Sequence, residues 1–154
     1  FYQVAYDREN WKRIANHLDS EKYYEIHVLN RVQLLNDIQR FSLENEDDVE
    51  IILKVLWYLR RETDVLPYLI ADEFLNSLAH RLINTPVYGL YKKFVLNILK
   101  RVMEHLNDAE REHNNNLNAS MRQEMLRMAC HYGDKKCKDM AKVKLMETIR
   151  SKKP

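Results

Sequence analysis

Between Val87 and Leu106 the apolar residues step by three and one without a miss: Val87, Leu90, Tyr91, Phe94, Val95, Ile98, Leu99, Val102, Met103 and Leu106. This is the 3.6-residue period of a long α-helix with a broad contact face. A strand, whose side chains alternate by two, cannot hold it. Thr85-Pro86 marks the start, since proline is accommodated in a first helical turn. A helix with so wide an apolar face needs neighbours on more than one side, and the rest of the chain supplies helices to provide them.

"ENWKRIANHL" predicts a helix from Arg8, with Trp11, Ile14, Ala15 and Leu18 inward. "NRVQLLNDIQRFSL" predicts a second with Val32, Leu35 and Ile38 inward. A third follows "NEDD", whose acids suit the positive end of the helix dipole, and carries Val49, Ile52, Leu53, Leu56 and Leu59 on one face. Pro67 opens a fourth, "PYLIADEFLNSLAHRLI". Residues 110–120, "EREHNNNLNAS", lose periodicity and read as a polar loop. Helices over 120–132, with Met121, Met125, Met128 and Ala129 inward, and over 135–150 complete the set. Gly133 is expected as the left-handed C-cap between them and Asp134 as the next N-cap.

Two glycines and three prolines in 154 residues leave little for turn-dependent β architecture, so the class is all-α. The exception is "FYQVAY" (1–6), which alternates like a short strand before the helix N-cap expected at Asp7. A lone strand must pair elsewhere, and the chain offers no partner. Six or seven helices with short connections pack antiparallel, as a bundle or as stacked hairpins. No repeat at a fixed period decides between the two.

The net charge of +2, from 25 basic and 23 acidic residues, gives no argument for a polyanionic partner. The basic stretch "DKKCKDMAKVKLMETIRSKKP" is interrupted by acids and lacks stacking aromatics, so it reads as a solvated helix face rather than a nucleic-acid site. No apolar run of about 18 residues exists to span a membrane. The chain opens at Phe1 with neither an initiator Met nor a leader, which suggests a piece of something longer.

Chemistry is sparse. None of the six histidines is followed by Glu, so the His-Glu-x-x-His zinc motif is missing, as are a phosphate loop, a nucleophile elbow and Cys-x-x-Cys. The acids of "ENEDD" and "ADE" lack the ligand spacing and central glycine of a calcium loop. No catalytic residue and no metal ligand is assigned. The cysteines stand in "MACHYGDKKC". Zinc through Cys130, His131 and Cys137 lacks a fourth ligand, and nothing marks a low-pKa thiol. A Cys130–Cys137 disulfide fits best, because a tight turn between two helix ends can bring the Cα atoms within about 6 Å. The sequon "NAS" makes Asn118 a glycosylation candidate. Disulfide and sequon together favour the secretory route.

Four stretches resemble blocks of one family in its own order. "YQVAYDRENWKRIANHL" is similar to the segment that ends the small β-sandwich and begins the C-terminal helical domain in zinc aminopeptidases of the aminopeptidase N family. "NRVQLLNDIQRFSL", "LWYLRRETDVLP" and "LRMACHYGDKKCKDMA" resemble later blocks of that domain, the last of which carries a disulfide. Gln3, Val32, Asn36 and Tyr68 depart from the pattern, Tyr68 standing where many relatives have Trp, and the usual Gly-Trp is missing around residues 106–109.

The resemblance implies antiparallel hairpins in a HEAT/armadillo-like α-α superhelix, the endoplasmic-reticulum-aminopeptidase-like C-terminal domain. Residues 1–6 would end the preceding β-sandwich, and 7–154 would form the first half of a bowl closing over an active site. It implies a non-catalytic fragment of a peptidase that trims N-terminal residues from peptides, with zinc in an upstream domain and none in this chain. Arg31 and Gln33 are the residues matched for a substrate-channel wall, although Arg31 serves equally as a brace between helices. The implied partners are the upstream catalytic and β-sandwich domains and the peptide substrate, without nucleic acid or membrane insertion by this segment. Self-association through an apolar C-terminal edge is a further expectation. The location implied is extracellular or at the cell surface, with the endoplasmic-reticulum lumen as the alternative. A freestanding helical-repeat interaction scaffold, or a receptor-type homologue without catalysis, are the competing readings.

Overall fold

The computed structural model describes residues 3–39, 46–112 and 116–151. Among them seven α-helices follow in order: α1 Arg8–Leu18, α2 Val28–Ile38, α3 Glu46–Trp57, α4 Leu66–Leu82, α5 Tyr88–Glu112, α6 Asn116–Tyr132 and α7 Lys135–Ser151. Short 3-10 turns at Tyr23–Glu25 and Tyr58–Arg61 join α1 to α2 and extend α3. The all-α class holds.

Contacts decide between bundle and stacked hairpins. α1 packs on α3, α2 on α4, and the 3-10 extension of α3 on α5. Neighbours in sequence also pack, as the pairs α2–α3, α4–α5, α5–α6 and α6–α7. This packing on the next helix but one, seen from α1 through α5, is the signature of hairpins laid side by side in two layers, as in α-α superhelices.

The N-terminal strand does not form among the described residues. Positions 3–6 belong to no regular element, and Phe1 and Tyr2 lie outside the described chain. A strand exists through its ladder, and no described segment offers one. Tyr6 instead sets its ring edge-on against Trp11, centroids 5.0 Å apart. Asp7 caps α1 as expected, its Oδ1 accepting from the Asn10 amide at 2.8 Å.

In α1, Trp11, Ala15 and Leu18 are buried as the period requires. In α2 and α3 the inward stripe is displaced. α2 buries Arg31, Leu34, Leu35 and Ile38 and leaves Val32 only half-buried. α3 buries Asp48, Ile51, Ile52, Val55 and Leu56, while Val49 and Leu53 are exposed. In each helix a charged residue takes the first place of an i, i+3, i+4, i+7 set. Asp48 is accommodated because Arg8 meets it with two donors, Nε to Oδ1 at 2.6 Å and Nη2 to Oδ2 at 3.0 Å.

α5 buries one row, Tyr91, Val95, Ile98, Leu99, Val102 and Leu106, against neighbours on both sides, while Val87 and Leu90 face out. The loop expected over 110–120 is corrected. α5 runs on to Glu112 and α6 starts at Asn116, with residues 113–115 outside the description. Glu, Arg, Ala and Leu in these stretches are sound helix formers, and no glycine or proline interrupts them. Loss of apolar period marked a helix end there, not coil.

Four tyrosines in the core, Tyr58, Tyr68, Tyr91 and Tyr132, are held neutral by burial, which pushes each hydroxyl above its ordinary value of 10.0. Unfolded tyrosines ionise near pH 10, so the stability these groups contribute is complete below about pH 10 and is lost as pH rises toward their raised values. We expect a melting temperature that falls above about pH 10, with part of the tyrosinate absorbance appearing only on unfolding. Titration of all nine tyrosines near pH 10 in a folded chain would contradict this.

Candidate functional site

The residues that sequence reasoning singled out fall at three places in the fold. Arg31 and Gln33 sit on α2 but do different work. Arg31 turns inward and is 7% exposed, facing Glu62, which is 1% exposed. Its Nε donates to Glu62 Oε2 at 2.7 Å and its Nη2 to Oε1 at 3.1 Å. Its Nη1 donates to the Ile26 carbonyl at 2.5 Å, and the Tyr23 ring covers the guanidinium at 5.2 Å. Burial alone would pull the guanidinium down; the hydrogen bonds and charge of Glu62 outweigh it and leave it raised.

Glu62 is equally satisfied. Its Oε1 also accepts from the Thr63 and Asp64 amides at 3.0 and 3.1 Å, and its Oε2 lies 3.4 Å from the Tyr58 hydroxyl. The carboxylate therefore shapes the turn that launches α4. Tyr68 closes the node: its hydroxyl donates to the Leu59 carbonyl at 2.6 Å, with the Glu62 and Ile98 carbonyls at 3.2 and 3.4 Å. A phenol at this position reaches three backbone carbonyls from α4 alone. Arg31 is thus a brace, and its guanidinium is not free to meet a ligand.

Gln33, two residues on, lies at a surface. With Val4, Tyr6, Ile14, Ile26, Leu29 and Asn30 it lines a groove of 620 Å³ between the N-terminal segment, α1 and α2. Its side-chain amide donates to Asp37 Oδ1 at 2.7 Å, holding it against its own helix. The groove is mostly apolar, with Leu29 exposed on its rim.

The structure joins Cys130 to Cys137, Cα atoms 5.3 Å apart. Gly133 takes the left-handed conformation, φ 99°. The Gly133 amide donates to the Cys130 carbonyl at 3.2 Å and the Asp134 amide to the Ala129 carbonyl at 2.9 Å, the two bonds of a Schellman cap. Asp134 Oδ1 then accepts from the Cys137 amide at 2.7 Å and starts α7. One reversal between helices is fixed by a glycine, an aspartate and a covalent bond. Asn118 lies in the first turn of α6.

Several residues that tie helices together are not singled out for that role in the sequence, where Asp72 stands only as an acid of "ADE". Asp72, within α4, accepts from Arg127 Nη2 at 2.5 Å and from Asn76 Nδ2 at 3.1 Å. The Tyr132 hydroxyl donates to Asn76 Oδ1 at 3.0 Å, so a polar strip ties α4 to α6. Among the described residues no group of three or more His, Cys, Asp or Glu could hold a metal ion, and no helix is long and apolar enough to cross a membrane.

Residues 1–153 match the ERAP1-like C-terminal domain, and the chain belongs to that family. It is 26% identical over 150 residues to aminopeptidase N of Plutella xylostella, covering 97% of this chain and 16% of that protein. To aminopeptidase N of Bos taurus it is 30% identical over 146 residues, 92% of this chain and 15% of the relative. To the thyrotropin-releasing hormone-degrading ectoenzyme of Homo sapiens it is 24% identical over 157 residues, covering 98% and 15%. The chain spans about 15% of the length of these relatives.

Proposed function

We propose that this chain is a non-catalytic part of a zinc aminopeptidase that trims N-terminal residues from peptides, and that it forms channel wall and domain-closing bowl. The observation that carries this reading is the family match over residues 1–153, supported by relatives named as aminopeptidases. Residues 1–6 are then the end of a preceding β-sandwich and 7–154 the first half of the helical domain. The zinc and the groups that activate water belong to an upstream domain. Peptide substrate and those upstream domains are its partners.

The two matched residues take different parts in this reading. Gln33 lines the channel, which its position on the groove beside α1 and α2 supports. Arg31 supports that wall from behind by holding the Ile26 turn. Four relatives carry "ectoenzyme" or "membrane" in their names, which supports a cell-surface or extracellular location for the parent protein. The Cys130–Cys137 bond suits the oxidising route such a protein follows, with Asn118 as the glycan acceptor.

The isolated chain is expected to release no fluorophore from aminoacyl substrates, with or without added zinc. Appreciable turnover would overturn the non-catalytic reading. Secreted from eukaryotic cells, the chain should show a linked 130–137 peptide and a glycan at Asn118 by mass spectrometry. Free thiols and an unmodified Asn118 would count against the secretory assignment.

A further inference from the structure

Helix α7 is seated on the fold by one side chain. Cys137 is its only buried residue, every other position of Lys135–Ser151 is exposed, and its main packing is on α6. The same residue is one half of the disulfide to Cys130, which lies in the last turn of α6. The covalent bond and the seat of the helix are therefore one feature. A helix of 17 residues has little stability of its own in water, so its order depends on that seat.

The two sulfurs are not equivalent toward an incoming thiolate. Exchange attacks one sulfur and expels the other as thiolate, so access governs the first and local charge the second. Cys130 is half-buried, whereas Cys137 is only 6% exposed. Attack at Cys130 expels the Cys137 thiolate into the first turn of α7, at the positive end of the helix dipole. Lys135, Lys136 and Lys138 outnumber Asp134 and Asp139 there. Attack at Cys137 would instead leave the Cys130 thiolate in the last turn of α6, at the negative end of that helix. Access and charge select the same sulfur.

We propose that Cys130–Cys137 is an exchange site for small thiols and dithiols, entered at Cys130, and that opening it unseats α7. The incoming thiolate forms a bond to the Cys130 sulfur while the Cys130–Cys137 bond breaks and its electron pair leaves on Cys137. A second thiol then displaces the first from Cys130. The protein gains two electrons and two protons, and the two added thiols depart oxidised as their own disulfide. Cys137 then retains only a weak S–H donor toward the Leu126 carbonyl, 3.2 Å from its sulfur. The cap bonds at Gly133 and Asp134 survive, but they hold the turn and not the body of the helix. The site stands whether or not the parent protein is a peptidase, because it uses neither Gln33 nor Arg31.

The test has two arms, both on the whole oxidised chain. In the first, reduced glutathione is added, exchange is stopped with acid, and the adducts are located by peptide mass spectrometry. Glutathione is expected on Cys130 in at least tenfold excess over Cys137. In the second, amide hydrogen exchange is compared before and after full reduction with dithiothreitol, and in the C130S/C137S variant. Amides of α7 are expected to exchange at least tenfold faster in both opened forms, while those of Tyr91–Leu106 in α5 stay within twofold. Adducts shared equally or held mainly by Cys137 would overturn the proposal, as would a disulfide that glutathione leaves intact while it opens a cystine control. Unchanged protection of α7, or loss of protection throughout α1–α6 together with α7, would overturn it too.

Discussion

One buried ion pair joins parts of the fold that lie far apart in sequence and sets the turns at both of its ends. Arg31 and Glu62 lie 31 residues apart and meet through two charge-assisted hydrogen bonds inside the core. An unpaired guanidinium or carboxylate in this setting would cost several kcal/mol, so each group makes the other tolerable. What the pair provides beyond neutrality is geometry. Arg31 fixes the turn before its own helix through the Ile26 carbonyl, and Glu62 fixes the turn before α4 through two amides. Tyr68 then carries the arrangement across to the backbone of α5. Two hairpins and the helix that follows them are set relative to one another at one point.

That node explains which parts of the architecture the sequence reveals. Helix positions follow from apolar spacing, and α1, α4 and α7 lie close to where the spacing puts them. Stripe phase fails where a charge is buried. In α2 the period through Val32 and in α3 the period through Val49 are both sound as patterns, yet the faces actually buried begin at Arg31 and Asp48. Apolar periodicity is blind to a charged residue whose partner lies about 30 or 40 positions away. Only a pairing of "NRV" with "RRETD", or of "DRE" with "EDD", would have carried the information, and a single sequence gives no means of matching them.

The α6–α7 reversal was legible for the opposite reason. Glycine, aspartate and two cysteines within eight positions each limit the backbone or the covalent geometry locally, so short-range reasoning suffices. Residues 110–120 misled because polarity was read as coil, whereas Glu110, Arg111 and Glu112 on one side and Leu117 and Ala119 on the other favour helix and no glycine or proline breaks the stretch. The two residues proposed for the channel wall differ in a way that short-range reading does not show. Gln33 and Arg31 are neighbours in sequence and were matched together, but helical geometry turns them about 200° apart, one to a surface groove and the other to the core.

The most direct test of this account is a double-mutant cycle on the node, with Arg31→Met, Glu62→Leu and both together, followed by urea unfolding of the disulfide-intact chain. The account predicts that Arg31→Met alone costs about 3–5 kcal/mol by leaving Glu62 buried without its partner. The double variant should cost clearly less than the sum of the two singles. Additive losses, with Arg31→Met below about 1 kcal/mol as for an exposed pair, would contradict the claim that this contact organises the fold.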